Sequence, residues 1–106
     1  MAVVDADRES ESAIRATLAA SGVPYALDYS DDLRGLSNAF NAGLKLSTGD
    51  FIAIAADDLT YQAGWLEEAH RVMATLPKGG GVVAFNDGHH NGNELGTHYL
   101  ISRDFI

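Results

Sequence analysis

Six consecutive apolar residues, Phe51-Ile52-Ala53-Ile54-Ala55-Ala56, limit the folds open to this chain more than anything else in it. Apolar residues without polar alternation mark a strand covered on both faces, the habit of parallel sheets flanked by helices. Ser47-Thr48-Gly49-Asp50 supplies turn chemistry just before the run, and Asp57-Asp58 ends it. The run is therefore expected to be a central strand that delivers two carboxylates to the C-terminal edge of a sheet, where open α/β folds bind ligands.

The remaining chain alternates short apolar runs with helical periodicity, so the expected class is α/β with a mostly parallel sheet flanked by helices. Val3-Val4 reads as the end of a strand. Asp7 or Ser10 can cap a helix carrying Ile14, Leu18 and Ala20, which Gly22 stops. Pro24 opens a short strand through Tyr25 to Tyr29. After the polar turn Ser30-Asp31-Asp32, residues Leu36, Ala39, Phe40, Gly43 and Leu44 recur at spacings of three and four, on one face of a second helix. Trp65, Ala69, Val72, Met73 and Leu76 mark a third helix, ended by Pro77 and the Gly79-Gly80-Gly81 run. Val82 to Phe85 is expected to be another buried strand, and Tyr99-Leu100-Ile101 a last one. Between them, Asn86 to Gly96 has the composition of a long polar loop.

At 106 residues, 46% of them apolar, the chain is sized for a single domain over residues 1–106. Fifteen Asp and Glu against seven Lys and Arg give a net charge of −8, which repels nucleic acid and anionic lipid, so neither is expected as a partner. A phosphorylated ligand stays compatible with that charge when a divalent cation sits between carboxylates and phosphates. With no cysteine, disulfides, zinc–thiolate sites and thiol nucleophiles are excluded, and a reducing cytoplasmic setting fits. No apolar stretch reaches the length of a membrane span, and no basic segment leads into an apolar run at the N-terminus.

Asp57 and Asp58 are the strongest chemical signal, because adjacent carboxylates resist ionising together unless a hard divalent cation holds them. The competing structural reading makes them a cap for the helix containing Trp65. Asp5 and Asp7 follow the first strand in the same manner, and a parallel sheet would bring them to the same edge; here the alternative is again a helix cap. Arg34-Gly35 opens the second helix, where a guanidinium and free N–H groups can meet a diphosphate, or where Arg34 simply pairs with Asp31 or Asp32. His89 and His90 beside Asp87, and His98 further on, are possible metal ligands whose spacing fixes no site on one helix face, and His70 is expected at the surface.

Three blocks, in order, resemble the family 2 glycosyltransferases. VVDADRESES is similar to the family's strand ending in an acidic nucleotide-contacting motif. RGLSNAFNAGLKLSTGDFIAIAADD resembles its helix, turn and buried strand ending in an acidic pair, and GWLEE resembles the start of its next helix. The resemblance implies a GT-A fold, a three-layer, Rossmann-like nucleotide-diphospho-sugar transferase architecture. It further implies a divalent cation, Mn or Mg, a nucleotide-diphosphate sugar as donor, such as a UDP-sugar, and a sugar or other hydroxyl as acceptor.

By the same likeness Asp5, Asp7, Arg34 and Asp57 contact the nucleotide, while Asp58 and Asp57 hold the metal. Ala56 stands where many members carry the first Asp of the acidic motif, which favours Asp58 over Asp57 as metal ligand. The family normally begins with a further strand, loop and helix ahead of the segment starting here at Met1, and its catalytic base lies beyond the segment ending at Ile106. The chain is thus expected to be a partial domain that carries mainly donor binding, transfers sugar poorly alone and covers exposed apolar surface by homo-oligomerisation. The alternative expectation is a non-catalytic nucleotide-sugar binding or interaction module with the same fold.

Overall fold

A computed structural model of the protein describes residues 1–56, 58–77, 80–86, 88 and 96–106. The chain divides into two compact units, Met1–Thr48 and Gly49–Ile106.

In the first unit, β1 (Ala2–Asp5) and β2 (Leu27–Ser30) pair in parallel, Ala2 opposite Leu27 and Asp5 opposite Ser30. The connection between them is α1 (Arg8–Ser21), which starts at Asp7 and stops at Gly22, a residue at φ 70° where a side chain would be strained. α2 (Leu36–Leu46) follows Gly35 and packs on β1. A Cβ on Gly43 would lie 3.4 Å from Val3 Cγ2, an ordinary contact distance, which places this turn of the helix directly over β1. The apolar face expected on α2 is divided: Ala39, Gly43 and Leu44 are half-buried, whereas Leu36 and Phe40 are exposed. Periodicity fixes which residues share a face; the width of the surface beneath it decides how many are covered.

In the second unit the elements are β3 (Phe51–Ile54), α3 (Trp65–Met73), β4 (Val82–Phe85) and β5 (His98–Ser102), closed by a 3₁₀ turn at Arg103–Phe105. The sheet order is β3-β5-β4, with β5 antiparallel to both neighbours; Ile52 faces Ile101, and Val83 faces Leu100. This corrects two expectations. Parallel pairing holds for β1 and β2 but not here, and among the described residues β3 is an edge strand ending at Ile54, with Phe51 42% exposed. β4 likewise alternates, with Val83 buried and Val82 exposed. An apolar run records that a strand is apolar, not the direction of its neighbour, and the intervening strand is β5, drawn from a later segment. Because β1 and β3 belong to different sheets, a shared parallel sheet no longer supplies a reason for Asp5 and Asp58 to meet.

Ala69, Met73, Val83 and Leu100 form the core of this unit, with Val72, Leu76 and Phe85 packed against it. The third helix thus buries the face its spacing predicts. Leu100, only 2% exposed on the central strand, is its best-covered side chain, and burial of a leucine contributes about 1.5–3 kcal/mol. The end of β5 is tied to the segment before β4, since the Gly81 N–H donates to Ser102 Oγ at 2.9 Å and the Ser102 N–H to Gly81 O at 3.0 Å. Gly80, at φ 83°, makes this approach possible: a Cβ there would fall 1.7 Å from Ser102 Oγ. Among the described residues no helix is long and apolar enough to cross a membrane.

Candidate functional site

β1 ends on Asp5, and both oxygens of that carboxylate are engaged. Oδ2 accepts the backbone N–H of Arg34 at 3.1 Å, and Oδ1 accepts the guanidinium Nε–H at 2.7 Å. On its other side Arg34 Nη1 donates to Asp28 Oδ2 at 2.5 Å. Nη2, which is buried, lies 2.6 Å from Asp5 Oδ1 as part of the ion pair but is not aligned for a hydrogen bond. Side-chain exposure is 11% for Asp5 and 24% for Arg34, so the pair is largely withdrawn from water. Hydrogen bonding to Asp5 first, and to Asp28 second, raises the pKa of the guanidinium above its already high ordinary value.

Arg34 therefore pairs with neither of the turn carboxylates suggested by proximity in sequence. Asp31 instead takes Arg8 at 2.5 Å, and Arg8 lies 4.2 Å above the Tyr29 ring. Asp28 is the residue that sequence reasoning missed. Its signal was a single charge inside the otherwise apolar strand predicted from Tyr25 to Tyr29, in the chain at a place where charges are uncommon unless paired.

Asp7 acts locally. Its Oδ1 accepts the Ser10 N–H at 2.9 Å at the start of α1, and that hydrogen bonding holds its carboxyl below the usual range. Between Asp5 and Asp7 the backbone passes through Ala6 at φ 55°, the left-handed region that residues with a Cβ seldom occupy. A shallow cleft of about 440 Å³ is lined by Asp28 and Arg34 together with Asn38, Asn41 and Lys45 of α2. Asn38 Nδ2 donates to Arg34 O at 2.9 Å, fixing one wall of that cleft.

In the second unit Asp58 stands exposed in the turn after β3, with no ion-pair partner among the described residues. Asp57 lies outside the described residues, as do Asp87, His89 and His90. Asp58 does not cap the next helix: α3 begins after Gly64, and no side chain caps it. Among the described residues there is no group of three or more His, Asp or Glu disposed to hold a metal ion. His98 starts β5 opposite Phe85, and His70 is exposed on α3 with its ring 4.8 Å from Phe51.

Directly after Asp58, Tyr61 and Trp65 stack at 4.2 Å, and Phe85 meets Trp65 edge-on at 5.5 Å. The Tyr61 hydroxyl is buried without a hydrogen-bond partner among the described residues. A second cleft, about 370 Å³, is lined by Phe51, His70, Met73, Leu76 and Ser102. It opens at the start of β3, the end opposite Asp58, and its walls are mainly apolar.

Of the four carboxylates singled out by sequence, the three described ones separate into one locked by an arginine, one used as a helix cap and one exposed in a turn without an ion-pair partner among the described residues. No curated protein and no solved structure matches the chain. The family model described as glycosyl transferase family 2 matches residues 2–104, nearly the whole chain, and this match carries with it a GT-A fold. A match over that much of the chain shows the family: the chain belongs to glycosyl transferase family 2.

Proposed function

We propose that the chain binds a nucleotide-diphosphate sugar and a divalent cation, Mn or Mg, for metal-assisted transfer of the sugar to an acceptor hydroxyl. The observation that carries this reading is Asp58, an exposed carboxylate following a strand end with no counter-charge among the described residues. Its hard oxygen donors suit either cation, and Asp57 is proposed as the second ligand and as a ribose contact. When bound, the cation supplies charge neutralisation for the leaving diphosphate.

Within the first unit Asp5 is proposed as a nucleoside contact, with Asp7 beside it at the start of α1. Arg34 was expected near the diphosphate. Its hydrogen bonds to Asp5 and Asp28 support a different task, that of holding Asp5 in place. In the transfer itself the acceptor oxygen bonds to the anomeric carbon as the bond to the diphosphate breaks, and a base takes the hydroxyl proton.

We retain one domain over residues 1–106 with the three-layer, Rossmann-like arrangement; the support is that one family match runs through both units. Homo-oligomerisation in a cytoplasmic setting belongs to the same proposal, supported by the exposed Leu33, Leu36 and Phe40 and by the cysteine-free composition. Analytical ultracentrifugation showing a monomer at high concentration would remove the oligomer.

Calorimetry with UDP and with GDP, each with and without manganese, tests the reading. Binding that needs manganese and disappears in Asp58→Ala is expected; no nucleotide binding under any condition overturns it. Manganese-dependent binding with no sugar transferred to any offered acceptor would favour the non-catalytic module.

A further inference from the structure

We propose that Asp28 is a positioning residue for nucleotide binding, holding Arg34 so that Arg34 in turn fixes the carboxylate of Asp5. The inference rests on the proposed role of Asp5 as a nucleoside contact.

The geometry runs in one direction. Arg34 presents Nε to Asp5 and Nη1 to Asp28, so the planar guanidinium is pinned from two sides and cannot rotate about its long axis without breaking a charge-assisted hydrogen bond. The backbone N–H of Arg34 holds the second Asp5 oxygen, which fixes the plane of the carboxylate as well as its position. β-Sheet pairing supplies the rigidity: Asp28 is opposite Val3 in β2, and Asp5 is opposite Ser30, so both acids sit on the same parallel ladder. Asp28 adds attraction as well. Arg34 and Asp5 alone form a neutral pair joined through Nε; the second carboxylate, on Nη1, gives the guanidinium a second charged partner that holds it in the cluster.

Four variants of the full chain test this by calorimetry with UDP and manganese: Asp5→Asn, Asp28→Asn, Asp28→Glu and the double Asp5→Asn/Asp28→Asn. Asp28→Asn is expected to weaken nucleotide affinity roughly tenfold, by analogy with the lower end of what loss of an outer orienting partner costs at metal sites. Asp28→Glu, which keeps the charge, should recover part of that loss. The double variant should be no weaker than Asp5→Asn, because Asp28 acts only through Asp5. Nitrogen-15 relaxation at Arg34 Nε supplies a readout that general destabilisation would not move: the side chain should become mobile in Asp28→Asn while backbone amides of β2 stay rigid.

If Asp5→Asn weakens binding and Asp28→Asn does not, the positioning role is overturned and the nucleotide reading survives. If Asp5→Asn leaves affinity unchanged, the nucleotide role of Asp5 is overturned and the inference with it. Should Asp28→Asn not fold, Asp28→Thr, a residue suited to strands, takes its place under the same expectations.

Discussion

The two units of the chain treat a strand-end carboxylate in opposite ways. Asp5, after β1, carries its counter-ion with it: Arg34 occupies both oxygens, and Asp28 holds Arg34. Asp58, after β3, is exposed with no cation among the described residues. The supporting structure differs in the same sense. The second unit has a clustered apolar core around Leu100, while Val4 is the buried hydrophobic residue of the first, which relies on an ion triad, helix caps and one helix against a strand pair. A carboxylate with a built-in partner presents a fixed shape; the exposed one is the carboxylate for which a bound cation is proposed.

The comparison breaks most decisively at Leu100. Leu100→Ala should cost about 3 kcal/mol through lost burial and the cavity left behind, with the second unit failing first. Trp65, the single tryptophan, lies in that unit, so urea titration followed by its fluorescence reads the change directly. A loss below about 1 kcal/mol would mean that the cluster around Leu100 does not hold the unit together.

Next in size is binding. Asp58→Asn should lower manganese-dependent nucleotide affinity by at least about tenfold, near 1.4 kcal/mol, without lowering the melting temperature, since the side chain is exposed and has no ion-pair partner among the described residues. A clear drop in melting temperature for Asp58→Asn would blur the contrast between the two carboxylates. Arg34→Lys should do the reverse: an ammonium cannot reproduce the planar fork that spans Asp5 and Asp28, so melting should fall by a few degrees. Calorimetric melting of the two variants side by side checks both statements.

Acidification gives the smallest effect and probes the exposed carboxylates of the first unit that have partners. Asp7 and Asp31 have folded-state pKa values below the ordinary 3.8, Asp7 through its hydrogen bond with Ser10 and Asp31 through its bond with Arg8. A depressed carboxyl contributes stability that is present above the ordinary value and is lost as pH falls through the folded-state value. Between about pH 5 and pH 2, amide signals around Ser10 should therefore report fraying of the start of α1. Unchanged Ser10 signals across that range would show that the cap contributes nothing measurable.

Much of this organisation was legible in the residues. Gly22 and Asp7 bound the first helix where turn and cap chemistry place them, and the spacing of Ala69, Val72 and Met73 identified the covered face of α3, whereas Leu76, expected in that helix, packs on the same core from beyond its end at Met73. The failures share a physical cause. Phe51–Ile54 and Val82–Phe85 are apolar in any sheet, and only the arrival of β5 between them decides that both are paired antiparallel and that β3 lies at an edge. The role of Asp28, a lone charge in an apolar strand, was hidden for a similar reason. Its partner is Arg34, six positions away across a strand end and a turn, and that pairing arises only once β1 brings Asp5 alongside. For the site, sequence found Asp5, Asp7, Arg34 and Asp58 but could not tell a clamp from a cap or either from a free ligand.

Ala6 shows how small the difference can be. Along a straight strand, residues two apart point to the same side, and Asp5 and Asp7 would then crowd one arginine with two like charges. A single left-handed residue between them turns the chain, sending one acid to Arg34 and the other to Ser10. One dihedral angle therefore divides an acidic motif into an arginine-bound carboxylate and a helix cap. It also marks position 6 as a place where glycine, asparagine or aspartate suits the backbone better than the alanine it has.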